Sequence, residues 1–185
     1  TLPDDETRPS EIGVGSWKRT HDHGGGELPV DPLLSGLFKK FKQSNELEDV
    51  SESDAFEMFA AKLVLRDDLT DQSTLSDLLL DNSTPGVDVA LLEVNGELVR
   101  DESDARDICN GTGKLVVALH FVQAKTSTNI HSPEILNMGD IVRRTLTGDA
   151  PAGYPKLESI SKALQYMFDD HATKMQNPRP SVHLH

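Results

Sequence analysis

The feature that most constrains the fold is an apolar run, residues 116–122, that continues into Gln123, Ala124 and Lys125. Its length and valine content predict a central strand over residues 114–125, buried on both faces of a sheet. Successive side chains of a strand point to opposite faces, so Gln123 and Lys125 lie on the same side at its end. The sequence therefore predicts an amide and an ammonium side by side at one edge of a sheet.

An earlier strand-like segment, residues 87–94, places Asp88 near its start. If the two strands are neighbours, Asp88, Gln123 and Lys125 meet at one end of the sheet. Carboxylate and amide oxygens are ligands that Mg²⁺ accepts, and an ammonium can orient a water molecule or stabilise charge on a phosphate. The spacing also fits a plainer alternative, in which Asp88 and Lys125 are solvated strand ends and Gln123 is a polar edge residue.

Composition favours a single globular domain and limits how the chain can bind nucleic acid. Its 185 residues are 36% hydrophobic, which is enough for a core. The 18 basic and 31 acidic residues give a net charge of −13, which argues against a broad electrostatic surface for nucleic acid. Two short basic stretches, Lys39-Lys40-x-Lys42 and Arg143-Arg144, could hold phosphates locally or be solvated helix faces.

Cysteine content and hydropathy predict a soluble protein of a reducing compartment. Cys109 is the single cysteine, which excludes an internal disulfide. The sequence has no run of 18 apolar residues that would predict a membrane-spanning helix. Its acidic, polar N-terminal residues do not resemble a signal peptide. We therefore expect a cytoplasmic protein without a membrane partner.

Patterning divides the chain into a polar lead-in and one α/β domain. Residues 1–31 are rich in Asp, Glu, Gly, Pro and Ser and lack apolar periodicity, so they predict a flexible lead-in. Residues 32–185 predict the domain, and the chain ends inside a predicted strand at residues 180–185, as a C-terminally truncated fragment would. Two histidine pairs, His21-x-His23 and His183-x-His185, could bind a metal or be ordinary polar residues.

Helical periodicity and turn signals predict the order of elements. Helices are predicted in five places: after Pro32, after Ser51 or Ser53, around Leu75, over residues 135–146 and over residues 157–172. Asn95-Gly96 predicts a type I′ hairpin, and residues 101–113 predict a polar loop. The order gives a mixed α/β sheet with helices on both faces.

The second predicted helix carries a carboxylate beside its apolar stripe. The stripe consists of Phe56, Phe59, Ala60, Leu63 and Val64. Glu57 lies next to it, where its side chain could point over the sheet edge into a site or be an exposed helix carboxylate.

Four phrases of the chain occur in an order that resembles a known family. They are Phe56-Glu57-Met58-Phe59, Pro85-Gly86-Val87-Asp88-Val89-Ala90, Val94-Asn95-Gly96 and His120-Phe121-Val122-Gln123-Ala124-Lys125-Thr126-Ser127. Over roughly residues 50–185 the chain resembles the N-terminal region of the AIPR proteins, named for abortive phage-infection resistance. That region is similar to the Mrr-like branch of the PD-(D/E)xK restriction-endonuclease superfamily, where Gln-x-Lys replaces Glu-x-Lys. The glycine-rich run that often precedes the aspartate in this family is reduced here to Thr84-Pro85-Gly86.

The resemblance implies a restriction-endonuclease-like fold and a metal-dependent endonuclease that acts on nucleic acid, with DNA favoured, in bacterial defence against phage. Mg²⁺ or Mn²⁺ is the implied cofactor. Asp88 would bind the metal, the Gln123 amide and the Ala124 carbonyl would add neutral oxygens, and Lys125 would act on the water or the phosphate. Glu57 is the implied further ligand, because the first helix of the superfamily often carries an acid near the metal.

A second interpretation keeps the fold without the chemistry. In it the chain is a catalytically inactive module that binds nucleic acid or protein, as the charge of −13 and the neutral Gln123 favour. AIPR proteins are typically much longer, so the resemblance implies a missing C-terminal domain. A second copy of the chain in a homodimer is a further expected partner. In the nuclease interpretation, Thr126 and Ser127 follow the Gln-x-Lys directly and could donate to a phosphate.

Overall fold

A mixed four-stranded sheet lies at the centre of the residues that the computed structural model describes, 31–65, 72–80, 86–125 and 131–185. Its strands are β1 (Val89–Val94), β2 (Glu97–Val99), β3 (Val117–Val122) and β4 (Ser181–Leu184). The spatial order is β2-β1-β3-β4, with β1 antiparallel to β2 and β3, and β3 parallel to β4. The predicted mixed α/β sheet is confirmed.

Six α-helices accompany the sheet in these residues. They are α1 (Pro32–Ser44), α2 (Glu52–Val64), α3 (Gln72–Leu78), α4 (Glu102–Gly111), α5 (Ser132–Leu146) and α6 (Pro155–His171). Because β3 and β4 are parallel, the chain must return to the same end of the sheet before β4 begins, and α5 and α6 lie in that connection. No helix in the described part of the chain is long and apolar enough to span a membrane.

Side-chain alternation along the strands gives the sheet two buried sides. On one side, Leu92, Leu119 and Phe121 belong to an apolar cluster with residues of α4, α5 and α6. On the other side, Val89 and Val122 belong to a cluster with residues of α1, α2 and α3. Helices therefore flank both faces, as the sequence predicted.

The hairpin between β1 and β2 forms at the predicted turn. Asn95 and Gly96 have φ angles of 54° and 90°, the positive values that both central positions of a type I′ turn require. The Asn95 side chain also accepts a hydrogen bond from the Val116 N–H at 2.8 Å and donates to the Lys114 carbonyl at 3.0 Å. The turn residue thus joins the hairpin to the segment that enters β3.

The first two helices begin where the capping signals predicted. Pro32 occupies the first turn of α1, and the Asp31 carboxylate accepts a hydrogen bond from the Leu33 N–H at 2.8 Å. The Ser51 hydroxyl accepts from the Asp54 N–H at 3.1 Å. Ser51, rather than Ser53, is therefore the N-cap of α2.

The predicted polar loop over residues 101–113 is wrong, because most of it forms α4. The Asp101 carboxylate caps this helix by accepting from two backbone N–H groups, at 2.8 and 3.1 Å. Ala105 and Cys109, four residues apart, are fully buried on its inner face. These two small residues, with the half-buried Ile108 packed beside them, give a weak helical period among charged neighbours.

Two other predictions on burial were also wrong in part. β3 is not buried on both faces throughout, because Ala118 and His120 are only half-buried. In α2, Leu63 and Val64 are 58% and 41% exposed, although the predicted stripe includes them. Both residues lie in the last turn of α2, which ends at Val64.

Candidate active site at the end of the paired strands

Three residues of the predicted site, Asp88, Gln123 and Lys125, lie where β1 begins and β3 ends. Val89 and Val122 form the last pair of the β1–β3 ladder at this end. Asp88 directly precedes Val89, and Gln123 directly follows Val122. The Asp88 N–H donates to the Val122 carbonyl at 2.9 Å, so the two segments remain hydrogen-bonded one residue beyond the paired strands. The backbones of Asp88 and Gln123 are therefore close together.

The Asp88 carboxylate reaches across to the end of β3. Its Oδ2 atom accepts a hydrogen bond from the Ala124 N–H at 2.6 Å. A carboxylate offers about four lone-pair positions, so this bond orients Asp88 without exhausting its capacity as a ligand. Asp88 and Ala124 thus form a direct link between the two predicted halves of the site.

Gln123 is tied to the neighbouring strand on the other side. Its N–H donates to the His185 carbonyl at 3.0 Å, and the His185 N–H donates to the Phe121 carbonyl at 3.0 Å. The N–H groups of Gln123 and Ala124 thus bond to opposite neighbours, as consecutive residues of an extended strand do. The β3 backbone therefore stays extended through the first two residues of Gln-x-Lys.

Lys125 is paired with an acid that the sequence interpretation did not single out. Its ammonium donates to Glu134 Oε2 in the first turn of α5, and the two side chains are 22% and 30% exposed. The same carboxylate oxygen accepts from the His131 N–H at 3.1 Å. An acid at the third position of a helix is a capping signal, but nothing in the spacing connects it with Lys125.

The contacts of Glu134 explain its ionisation. Two hydrogen bonds hold the pKa of this carboxyl below its usual value. The bond from Lys125 has the larger effect, and the bond from the His131 backbone has the smaller one. Both bonds favour the charged form of the acid. An ionised carboxylate and an ammonium therefore face each other beside the end of β3.

Gly86 allows α5 to approach the segment that leads to Asp88. Its φ is +81°, a value that L residues rarely adopt. A Cβ atom at this position would lie 2.8 Å from the Glu134 carbonyl oxygen and 3.3 Å from the Met138 nitrogen. Glycine at position 86 thus has a packing reason: the first turns of α5 lie directly on the backbone before β1.

Glu57 is a buried carboxylate, 7% exposed, and not the exposed helix acid that was the alternative. The Ser53 hydroxyl donates to it at 3.4 Å. Its helix, α2, belongs to the same apolar cluster as Val89 and Val122, with Ala124 packed against that cluster. Glu57 therefore lies on a helix whose apolar cluster includes the residues that adjoin Asp88 and Gln123.

The oxygen donors near this end determine which cation they could hold. Within the described residues, no group of three or more His, Cys, Asp and Glu side chains could hold a metal ion. A cation would therefore depend on Asp88, with or without Glu57, and on the neutral oxygens of Gln123 and Ala124. Mg²⁺ accepts such a set, because it binds oxygen, keeps several waters and often takes only one or two carboxylates.

The C-terminal histidine pair stacks with a third histidine. The His120 ring lies 4.5 Å from that of His183 and 5.8 Å from that of His185, with interplanar angles of 15° and 4°. Glu93 Oε2 is 3.4 Å from His120 Nε2. Nearly parallel rings do not direct their nitrogens towards one point, so this arrangement is a stack and not a metal cage. His21-x-His23 lies outside the described residues.

The predicted basic stretches carry acids beside them. Lys42 pairs with Glu52 at 2.7 Å. Arg143 pairs with Asp140 at 2.7 Å, and Arg144 pairs with Asp149 at 3.3 Å. These ion pairs offset positive charge of Lys42, Arg143 and Arg144 that a phosphate would need. Thr84, Pro85, Thr126 and Ser127 lie outside the described residues.

Comparisons with protein-family models, with curated proteins and with solved structures gave no match for this chain.

Proposed function

We propose that the protein is a Mg²⁺- or Mn²⁺-dependent phosphodiesterase that cleaves DNA in bacterial defence against phage. The observation that carries the proposal is that Asp88, at the start of β1, lies beside Gln123 and Ala124 at the end of β3, directly before Lys125. The resemblance to the AIPR proteins supplies the reaction class and the biological setting. The cytoplasm is the proposed compartment, because phage DNA is cleaved there.

Each residue of the proposed site has a role that its chemistry allows. A bound Mg²⁺ would supply a polarised phosphate oxygen and an activated water. Asp88, oriented by the Ala124 N–H, would bind the cation, with the Gln123 amide and the Ala124 carbonyl as neutral oxygens. The Lys125 ammonium would orient the attacking water or stabilise the charge that develops on the phosphate. Glu57 would complete the cation's shell, directly or through water.

The order of elements supports a restriction-endonuclease-like fold. A helix, a hairpin, a further strand, two helices and a final parallel strand follow each other in the described residues. This agrees with the order that the sequence predicted, apart from the additional α4. The ends of β1 and β3 carry the proposed site, which is where the resemblance places the Asp and the Gln-x-Lys.

Metal-dependent cleavage of plasmid DNA tests the proposal. We expect the parent protein to nick or linearise plasmid with Mg²⁺ or Mn²⁺ and not with EDTA. Lys125→Ala should lower the rate by about 10²- to 10³-fold, the usual effect of losing one donor to a developing charge. Lys162→Ala, at an exposed position of α6, is the matched control and should retain the parental rate.

The fold should survive Lys125→Ala, because the Lys125–Glu134 pair is partly exposed and such pairs contribute little to stability. Circular dichroism and a thermal melt check this. A folded Lys125→Ala variant that cleaves at the parental rate, or a parent that cleaves equally well in EDTA, would contradict the proposal.

The second candidate is a module that binds nucleic acid or protein without cleavage. The engagement of Lys125 by Glu134 favours it, because an ammonium already bound to a carboxylate has less charge to offer a phosphate. Fluorescence anisotropy with a labelled DNA duplex distinguishes the two functions. Binding without metal-dependent cleavage by the parent would favour the module.

A further inference from the structure

We infer that Glu134 is a positioning residue that holds the Lys125 ammonium in place and joins it to the first turn of α5. This inference rests on the proposed function, in which Lys125 acts on the water or the phosphate. The inference adds Glu134 to the proposed site, an acid that the sequence pattern of Asp88 followed by Gln123-x-Lys125 does not contain. Glu134 acts through Lys125 and is not proposed to touch the substrate.

The need for a positioning residue follows from the chemistry of lysine. A lysine has four rotatable bonds in its side chain and a compact ammonium that water solvates strongly. At the end of a strand, such a group visits many positions unless a partner selects one of them. The hydrogen bond to Glu134 Oε2 selects one for Lys125, and alignment of a reacting group is a large part of catalysis.

Glu134 is itself held in place by α5. Its Oε2 atom also accepts from the His131 N–H, which precedes the helix. Its backbone carbonyl lies against Gly86, where a Cβ atom would approach to 2.8 Å. The same residue therefore contacts the Lys125 side chain and the backbone that leads into Asp88. These contacts fix the position of α5 relative to Lys125 after β3 and to the backbone before Asp88.

An ordinary surface ion pair on the same helix provides the comparison. Arg143 and Asp140 pair at 2.7 Å, but their side chains are 62% and 54% exposed. Lys125 and Glu134 are 22% and 30% exposed. Water competes less with the second pair, so its geometry is better defined.

The inference is tested by measuring kcat and KM for plasmid cleavage by the Glu134→Gln variant. A glutamine can still accept from the His131 N–H but carries no charge for Lys125. We expect kcat to fall by about tenfold or more while KM changes by less than about twofold. Asp140→Asn, which removes an exposed acid from the same helix, should leave both constants unchanged. A loss of helix α5 would instead lower the melting temperature, which circular dichroism measures.

A double variant distinguishes an effect through Lys125 from a separate one. If Glu134 acts through Lys125, Glu134→Gln should cause no further loss of rate in the Lys125→Ala background. Additive losses would overturn the inference. A parental or higher kcat in Glu134→Gln alone would also overturn it, because the acid would then be dispensable or inhibitory.

The nitrogen-15 NMR signal of the Lys125 ammonium, assigned by its loss in Lys125→Ala, tests the positioning without any cleavage. We expect this signal to weaken or vanish in Glu134→Gln and to persist in Asp140→Asn. An unchanged signal in Glu134→Gln would refute the positioning role. If the parent shows no cleavage but the signal depends on Glu134, the proposed function fails while the positioning of Lys125 stands.

Discussion

At the scale of single residues, the proposed site combines one oriented carboxylate with neutral oxygens. Asp88 is fixed by the Ala124 N–H at 2.6 Å, and Gln123 is held through its backbone by His185. An amide oxygen carries no net charge, so it binds a divalent cation more weakly than a carboxylate does. Gln123 is therefore the residue at which metal affinity should be easiest to raise.

We predict that Gln123→Glu binds Mn²⁺ more tightly than the parent. The added charge should favour the cation if the side chain is a ligand, and should leave affinity unchanged if it is only a polar edge residue. Isothermal titration of Mn²⁺ into both proteins measures the two dissociation constants. Equal constants would count against Gln123 as a ligand. Cleavage need not become faster, because extra negative charge also repels the phosphate.

The sequence predicted that Asp88 and Gln123, which belong to the proposed site, lie at the ends of adjacent strands. Strand periodicity brings Asp88 and Gln123 to one sheet end, because both adjoin the paired residues Val89 and Val122. It could not predict Glu134, since the contact with Lys125 depends on how α5 docks on Gly86. Long-range packing of a helix on a strand end leaves no period or spacing in the sequence.

At the scale of elements, strong local signals predicted the structure and a weak one failed. A type I′ turn requires positive φ at both central residues, and Asn95-Gly96 is one of the few dipeptides that meet this requirement, so the hairpin was predictable. α6 was predictable from a long stripe that includes the buried Leu157 and Leu164. α4 has only two small buried residues and the half-buried Ile108 on its inner face, so tertiary packing and the Asp101 cap decide its structure rather than hydrophobic periodicity.

We predict that Asp101→Ala lowers the free energy of unfolding by about 1 kcal/mol, the usual cost of losing a helix N-cap. The variant removes the acceptor for two N–H groups of the first turn of α4. Urea denaturation measures the change. Asp107→Ala, at an exposed position inside the same helix, is the control and should be neutral or slightly stabilising, because alanine favours helix. Equal effects of the two substitutions would refute the capping role.

At the scale of the whole molecule, the sheet separates two apolar clusters, and the proposed site lies at one end of it. Val89 and Val122 connect this end to α1, α2 and α3. Gly86 and Lys125 connect it to α5 on the other side. The polar groups of the site are thus supported by packing on both faces, as a preorganised site needs.

The most direct test of the central claim is the rate of plasmid cleavage by Asp88→Asn. Asparagine keeps an oxygen that can accept from the Ala124 N–H, so the variant removes the charge with little change in shape. Asp140→Asn is the control for loss of an exposed acid. We predict that cleavage requires Mg²⁺ or Mn²⁺, and that Asp88→Asn lowers its rate by about 10²-fold or more while Asp140→Asn does not. Parental cleavage by a folded Asp88→Asn variant would contradict the account.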